Sequence, residues 1–168
     1  MKMAGFYDES ISNGLGWRAV LFVSGCPHHC PGCHNEIAQD YNYGEDFKET
    51  EIIERIKNNS ILNGITISGG EPLCKENIAE VNHFIEEVKK EKPNFNVWCY
   101  TGYTLEQLKN RNDDVTNKTL NNIDVLVDGR FVQERRNPEI KFRGSDNQRI
   151  LDLKSCLQEE KIVELNIG

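Results

Sequence analysis

The chain has 168 residues, of which 38% are hydrophobic and 28% charged, an ordinary composition for one soluble domain that buries roughly two-thirds of its unfolded surface. A formal net charge of −7 excludes a general nucleic-acid binder, because phosphate contacts need a basic surface. No apolar run approaches a bilayer crossing, and Met1-Lys2-Met3-Ala4-Gly5 leads into polar sequence without an apolar signal region, so a cytoplasmic protein with no membrane partner is expected.

Trp17–Val23 reads as the first strand and runs into a C-x3-C-x2-C segment, Cys26-Pro27-His28-His29-Cys30-Pro31-Gly32-Cys33. Thr50–Lys57 places Ile52, Ile53 and Ile56 on one helical face. Gly64–Ser68 is a second strand, leading into Gly69-Gly70-Glu71-Pro72. Glu76–Lys90 then spaces Ile78, Val81, Phe84, Ile85 and Val88 by threes and fours, as a helix does. Phe95–Tyr100 is a third strand ending at Thr101-Gly102-Tyr103, and Ile123–Val127 a fourth ending at Asp128-Gly129-Arg130. Arg149–Leu153 and the weaker Lys161–Asn166 complete the set.

Strands alternating with helices imply parallel βα units. A closed eight-unit barrel needs about 250 residues, so the expected fold is α/β, an open, partial (βα)6-type TIM barrel. The cysteine run and the three later glycine-bearing segments would then share the carboxyl-terminal rim of the sheet, where βα folds build active sites.

The six cysteines do not read as disulfides, which suit oxidising compartments and small, core-poor chains. They divide into the tight triplet and the scattered Cys74, Cys99 and Cys156, of which Cys99 reads as a small buried hydrophobe. Three thiolates in one loop can hold three corners of a four-iron, four-sulfur (4Fe-4S) cube and leave one iron open. Zinc is the competing occupant, with His28, His29 or His34 as fourth ligand of a Cys3His set. The Gly-Gly-Glu-Pro segment alone marks only a turn. Both segments in this order, each after a predicted strand, favour the cluster. Arg130, Arg135, Arg136, Lys141, Arg143 and Arg149 form a local basic group, either a solvated face or a docking surface for an acidic partner or a ligand carboxylate.

The two segments together resemble the radical S-adenosylmethionine (radical SAM) superfamily. The likeness narrows with Asn13-Gly14-Leu15-Gly16-Trp17-Arg18, Tyr100-Thr101-Gly102-Tyr103-Thr104, Asp128-Gly129-Arg130-Phe131 and Arg143-Gly144-Ser145-Asp146-Asn147-Gln148-Arg149. This ordered set, reaching to about Leu153, is similar to the activating proteins of anaerobic ribonucleoside-triphosphate reductase. Gly32 agrees with that subgroup where many superfamily members carry an aromatic residue, and Leu15 departs from it at a common proline.

The resemblance implies a single radical SAM domain over residues 1–168 whose Cys26, Cys30 and Cys33 ligate a 4Fe-4S cluster and are the catalytic set. It implies that Gly69, Gly70 and Glu71 hold the methionyl group of S-adenosylmethionine at the open iron, and that Gly32, Cys33 and His34 bring backbone close to it. Thr101 and the Arg143–Gln148 segment would lie near cofactor or partner. The implied reaction is reductive cleavage of S-adenosylmethionine and hydrogen abstraction from a glycine of the reductase, with a low-potential donor such as flavodoxin or ferredoxin. Another glycyl-radical enzyme, such as pyruvate formate-lyase, is the alternative target. A zinc-stabilised binding module is the non-enzyme alternative.

Overall fold

The computed structural model describes residues 1–167, built on one seven-stranded sheet. Strand β1 (Lys2–Ser10) and β2 (Arg18–Val23) form an antiparallel hairpin, and the short β3 (Glu45–Asp46) pairs with the outer edge of β1. Helix α1 (Glu49–Lys57) leads to β4 (Gly64–Gly69), α2 (Ile78–Glu91) to β5 (Asn96–Tyr100), and the pair α3 (Leu105–Asn110) and α4 (Asp114–Asn122) to β6 (Val125–Asp128). Strand β7 (Arg149–Asp152) and α5 (Leu153–Glu159) follow. The strand order is β3-β1-β2-β4-β5-β6-β7.

Only β2, β4, β5 and β6 run parallel to their neighbours among these four, so three crossovers replace the six βα units expected. The reason is the length and content of the connections. A parallel return needs a crossover of a dozen or more residues, usually helical; residues 11–17 are too few and give a hairpin. Residues 129–148 are long enough but carry only the 3-10 turn Gln133–Arg135, and β7 comes back antiparallel to β6. The edges β3 and β7 do not pair, so the sheet is open. Lys161–Asn166, expected as a strand, makes one bridge, Glu164 to Leu151.

Side chains alternate along each strand, and the two faces are covered differently. Ala19, Leu21, Ile65, Ile67, Val97, Cys99 and Leu126 face the helices and form the main core with Ile52, Ile56, Phe84, Ile85 and Leu120. Helix α2 alone buries Ile78, Val81, Phe84, Ile85 and Val88, each worth about 1.5–3 kcal/mol. The opposite face carries Trp98, Val125, Val127 and Ile150, packed by Tyr100, Phe142, Leu165 and Ile167.

Arg18 closes the foot of that second face. It is buried, and its guanidinium donates to Thr66 Oγ1 at 2.8 Å, Leu15 O at 2.8 Å, Ile65 O at 2.7 Å and Asn96 O at 2.5 Å. It also lies 5.6 Å from the centre of the Trp98 ring. Burial pulls its pKa down to about 10. Above this plug the face is free to form a cavity at the carboxyl ends of the parallel strands.

Candidate functional site

Strand β2 delivers the cysteine loop to the rim. Its base is pinned by Gly25 N donating to Ala38 O at 2.7 Å and Cys26 N to Gln39 O at 3.1 Å, which tie it to the 3-10 turn Glu36–Gln39. Within the loop, Cys33 N donates to Cys30 O at 3.2 Å. Cys26, Cys30 and Cys33 are free and half-buried, and all three line one cavity of about 230 Å³. Burial pushes the Cys26 thiol up to about 11 and raises that of Cys30, so both surrender a proton when they bind metal.

The Gly-Gly turn at the end of β4 meets this loop by backbone contact. Gly70 N donates to Val23 O and Glu71 N to Gly25 O, both at 2.7 Å. Gly69 has φ of +97°, and a Cβ on Gly70 would stand 2.4 Å from Gly25 O and 2.8 Å from Ala38 O. The two glycines therefore bring the turn against the base of the cysteine loop. Asn77 Nδ2 fastens the joint further, donating to Ser24 O at 3.0 Å and Glu71 O at 3.2 Å.

Glu71 is fully buried and gathers three loops. Its Oε1 accepts from Gly102 N at 2.7 Å and lies 2.7 Å from His28 Nε2. Its Oε2 accepts from Thr101 Oγ1 at 2.8 Å and Leu73 N at 2.9 Å. A carboxylate offers about four lone-pair sites, so this chain's own groups use them all. His28 is fixed against Tyr103 with ring centres 4.5 Å apart, and a Cβ on Gly102 would stand 2.5 Å from the His28 ring.

The residues singled out by the sequence mostly meet here. Cys26, Cys30, Cys33, His34, Gly69, Gly70, Glu71 and Thr101 all line the cavity. Gly32 lies off it, against the side chain of Gln133. Ser68, Tyr100 and Val127 line it too; their places at the ends of alternating strands could have revealed them. Phe131, Phe142 and Gln148 come from the long β6–β7 connection, whose path no local pattern announces. The role of His28 as partner of Glu71 rests on a contact between distant segments.

The cavity suits a cluster better than a single ion. Among the described residues no three His, Cys, Asp or Glu side chains converge as ligands of one metal ion. His28 is engaged by Glu71, and His29 Nδ1 lies 3.0 Å from Gln39 Oε1. A cube instead takes its thiolates at separate irons.

The basic group of the sequence is divided by the fold. Arg149 belongs to the scaffold: it grips buried Asp128 through Nε at 2.9 Å and Nη2 at 2.6 Å, and reaches Glu106 at 2.6 Å. Asp128 also accepts from Leu105 N at 2.8 Å, at the start of α3. Arg135 pairs with Asp146 at 2.5 Å. Among the described residues Arg130, Arg136, Lys141 and Arg143 form no ion pair. No helix among those residues is long and apolar enough to cross a membrane.

Residues 12–151 match a family described as a 4Fe-4S single cluster domain. The anaerobic ribonucleoside-triphosphate reductase-activating protein of Haemophilus influenzae is 40% identical over 152 residues, 88% of this chain and 96% of that protein. The protein of the same name from Escherichia coli is 39% identical over 147 residues, 85% of this chain and 93% of its own length. That of phage T4 is 36% identical over 147 residues, covering 86% and 89%. A cysteine loop braced by a buried glutamate at the head of four parallel strands, with likeness that spans nearly the whole length of these proteins, places the chain in the family of anaerobic ribonucleoside-triphosphate reductase-activating proteins.

Proposed function

We propose that this protein activates anaerobic (class III) ribonucleoside-triphosphate reductase as a radical SAM oxidoreductase of the cytoplasm. The observation that carries the reading is one cavity holding three free thiols beside a buried Glu71 and the Gly69-Gly70 turn. The family's names supply the target. The four parallel strands are the part of a radical SAM partial barrel that this chain would use, with residues 1–168 acting as one domain.

Cys26, Cys30 and Cys33 would hold a 4Fe-4S cluster, with S-adenosylmethionine at the iron they leave open. When bound, this pair supplies one-electron chemistry: reduction of the sulfonium, C–S cleavage and abstraction of hydrogen from a glycine of the reductase. The chain's own part is placement. Glu71 accepts the methionyl ammonium, in a charge-assisted bond. Of its four present donors, Leu73 and Gly102 are backbone amides and Thr101 is a short, buried side chain, so the His28 side chain is the one that would yield. Gly69 and Gly70 keep the adjoining wall free of side chains, while His34 and Tyr100 enclose the space. Electrons come from a low-potential donor of the flavodoxin or ferredoxin class.

The test is electron paramagnetic resonance of the reduced, iron-reconstituted protein incubated anaerobically with S-adenosylmethionine and the reductase of the same organism. A glycyl-radical doublet that needs every component is expected. A reduced-cluster signal that never gives way to the doublet would overturn the assigned target.

A further inference from the structure

We propose that a second cavity beside the cluster site is a carboxylate-binding subsite for the incoming protein substrate, engaging an aspartate or glutamate near the glycine that loses hydrogen. The cavity measures about 340 Å³, and Arg136 and Arg143 line it together with Ser12 and Asn13. It shares His34, Tyr100, Phe142 and Gly144 with the cluster cavity, so an anion seated there adjoins the reaction space. The inference rests on the activating role proposed above.

Three features make this a built site. The segment 135–146 folds back on itself, with Arg136 bridged to Ser145, Asn137 N donating to Gly144 O at 3.1 Å and Asp146 N to Arg135 O at 3.0 Å. That pairing sets Arg136 on one arm and Arg143 on the other. Phe142 holds φ of +63°, a left-handed conformation that is costly for a bulky residue. Its ring packs on Trp98 with centres 5.3 Å apart, which holds the strained turn and so presents Arg143 to the cavity.

The third feature is unspent charge. Arg143 donates to Lys141 O at 3.4 Å and Gln148 O at 3.3 Å, which orient it without neutralising it. Arg136 makes no side-chain hydrogen bond or ion pair among the described residues, in contrast to Arg135, which Asp146 satisfies. Two uncompensated guanidiniums facing one cavity, in a chain of net charge −7, attract a carboxylate and can grip it through paired N–H donors. The methionyl carboxylate of S-adenosylmethionine offers the same chemistry. Arg136 and Arg143 line this cavity and not the one lined by the cysteines and Glu71, which favours the protein substrate.

The test compares cluster-loaded wild type with Arg136→Glu, Arg143→Glu and the control Lys90→Glu, an exposed side chain of α2 outside the cavity. Affinity for the reductase and for S-adenosylmethionine is measured separately. Reversal at Arg136 or Arg143 is expected to weaken reductase binding about tenfold or more and to flatten its salt dependence. Lys90→Glu should change it less than about threefold. Arg136→Gln, at a side chain without internal bonds, gives a weaker loss with no risk to folding. Unchanged reductase affinity in the Arg136 variants overturns the subsite, as does a loss confined to S-adenosylmethionine, which would give the cavity to the cofactor. If wild type itself neither binds the reductase nor forms its radical, the activating role fails instead.

Discussion

Glu71→Gln removes half of a buried acceptor pair while keeping size and shape. Oε1 faces Gly102 N–H and His28; Oε2 faces Leu73 N–H and Thr101 O–H. If the amide nitrogen takes the second place, the threonine hydroxyl can turn but Leu73 N–H cannot. If it takes the first, the imidazole can accept but Gly102 N–H cannot. Either orientation leaves one backbone donor facing another donor. Leu73 is buried and Gly102 only half-buried, so the amide will turn toward Gly102, where water softens the penalty. The cost is about 1–2 kcal/mol, and at this chain length the midpoint should fall by about 2–8 °C. Glu71→Ala leaves all four donors without an acceptor and should fall further. Thermal unfolding of anaerobically prepared protein, followed by circular dichroism, measures the order. A Glu71→Gln midpoint equal to wild type would refute the view that this carboxylate ties the loops together, and would leave it only a role toward cofactor.

Cys30→Ala should abolish iron binding, while Cys156→Ala, in the hydrophobic core behind the sheet, should retain it; equal iron loss in both would show that the ligand set is wrong. Gly70→Ala would drive a methyl into the backbone oxygens of Gly25 and Ala38, so iron incorporation should drop sharply, and full incorporation would contradict the close approach described. Asp128→Ala should cost about 2–3 kcal/mol in urea unfolding, below the usual penalty for breaking a buried pair because Arg149 keeps Glu106 and some solvent. Arg135→Ala, which breaks an exposed pair, should cost about 0–1 kcal/mol, and a reversed order would disprove the scaffold role of Asp128.

The cysteine loop and the Gly-Gly-Glu-Pro turn are legible because each is a contiguous string. Strands β2, β4, β5 and β6 are legible because they are buried on both faces and read as short apolar runs. Strand β1 is hidden because Tyr7-Asp8-Glu9, in its second half, are a run of exposed residues with no alternation. Helix α3 carries a local signal of its own: Thr104 and Gln107 form a capping box, a pattern visible in the letters T-x-x-Q. The direction of β7 was not legible, since it depends on how a long irregular connection packs. The same holds for His28 and Glu71, whose meeting is decided by the register of β2 against β4 and by the turns above them. Arg149 reads in the sequence as one of a basic group, solvated face or docking surface, because nothing local reveals that Asp128 lies opposite.

The Arg18 plug makes one end of the sheet rigid. Four donors from a single guanidinium bind the starts of β4 and β5 to the loop before β2, and releasing them would strand a cation in the interior. At the opposite end the buried Glu71 carboxylate takes four partners in its turn. The parallel strands are thus riveted at both ends by buried groups of opposite charge, a cation under their starts and an acid over their carboxyl ends, and the cavity is framed between them.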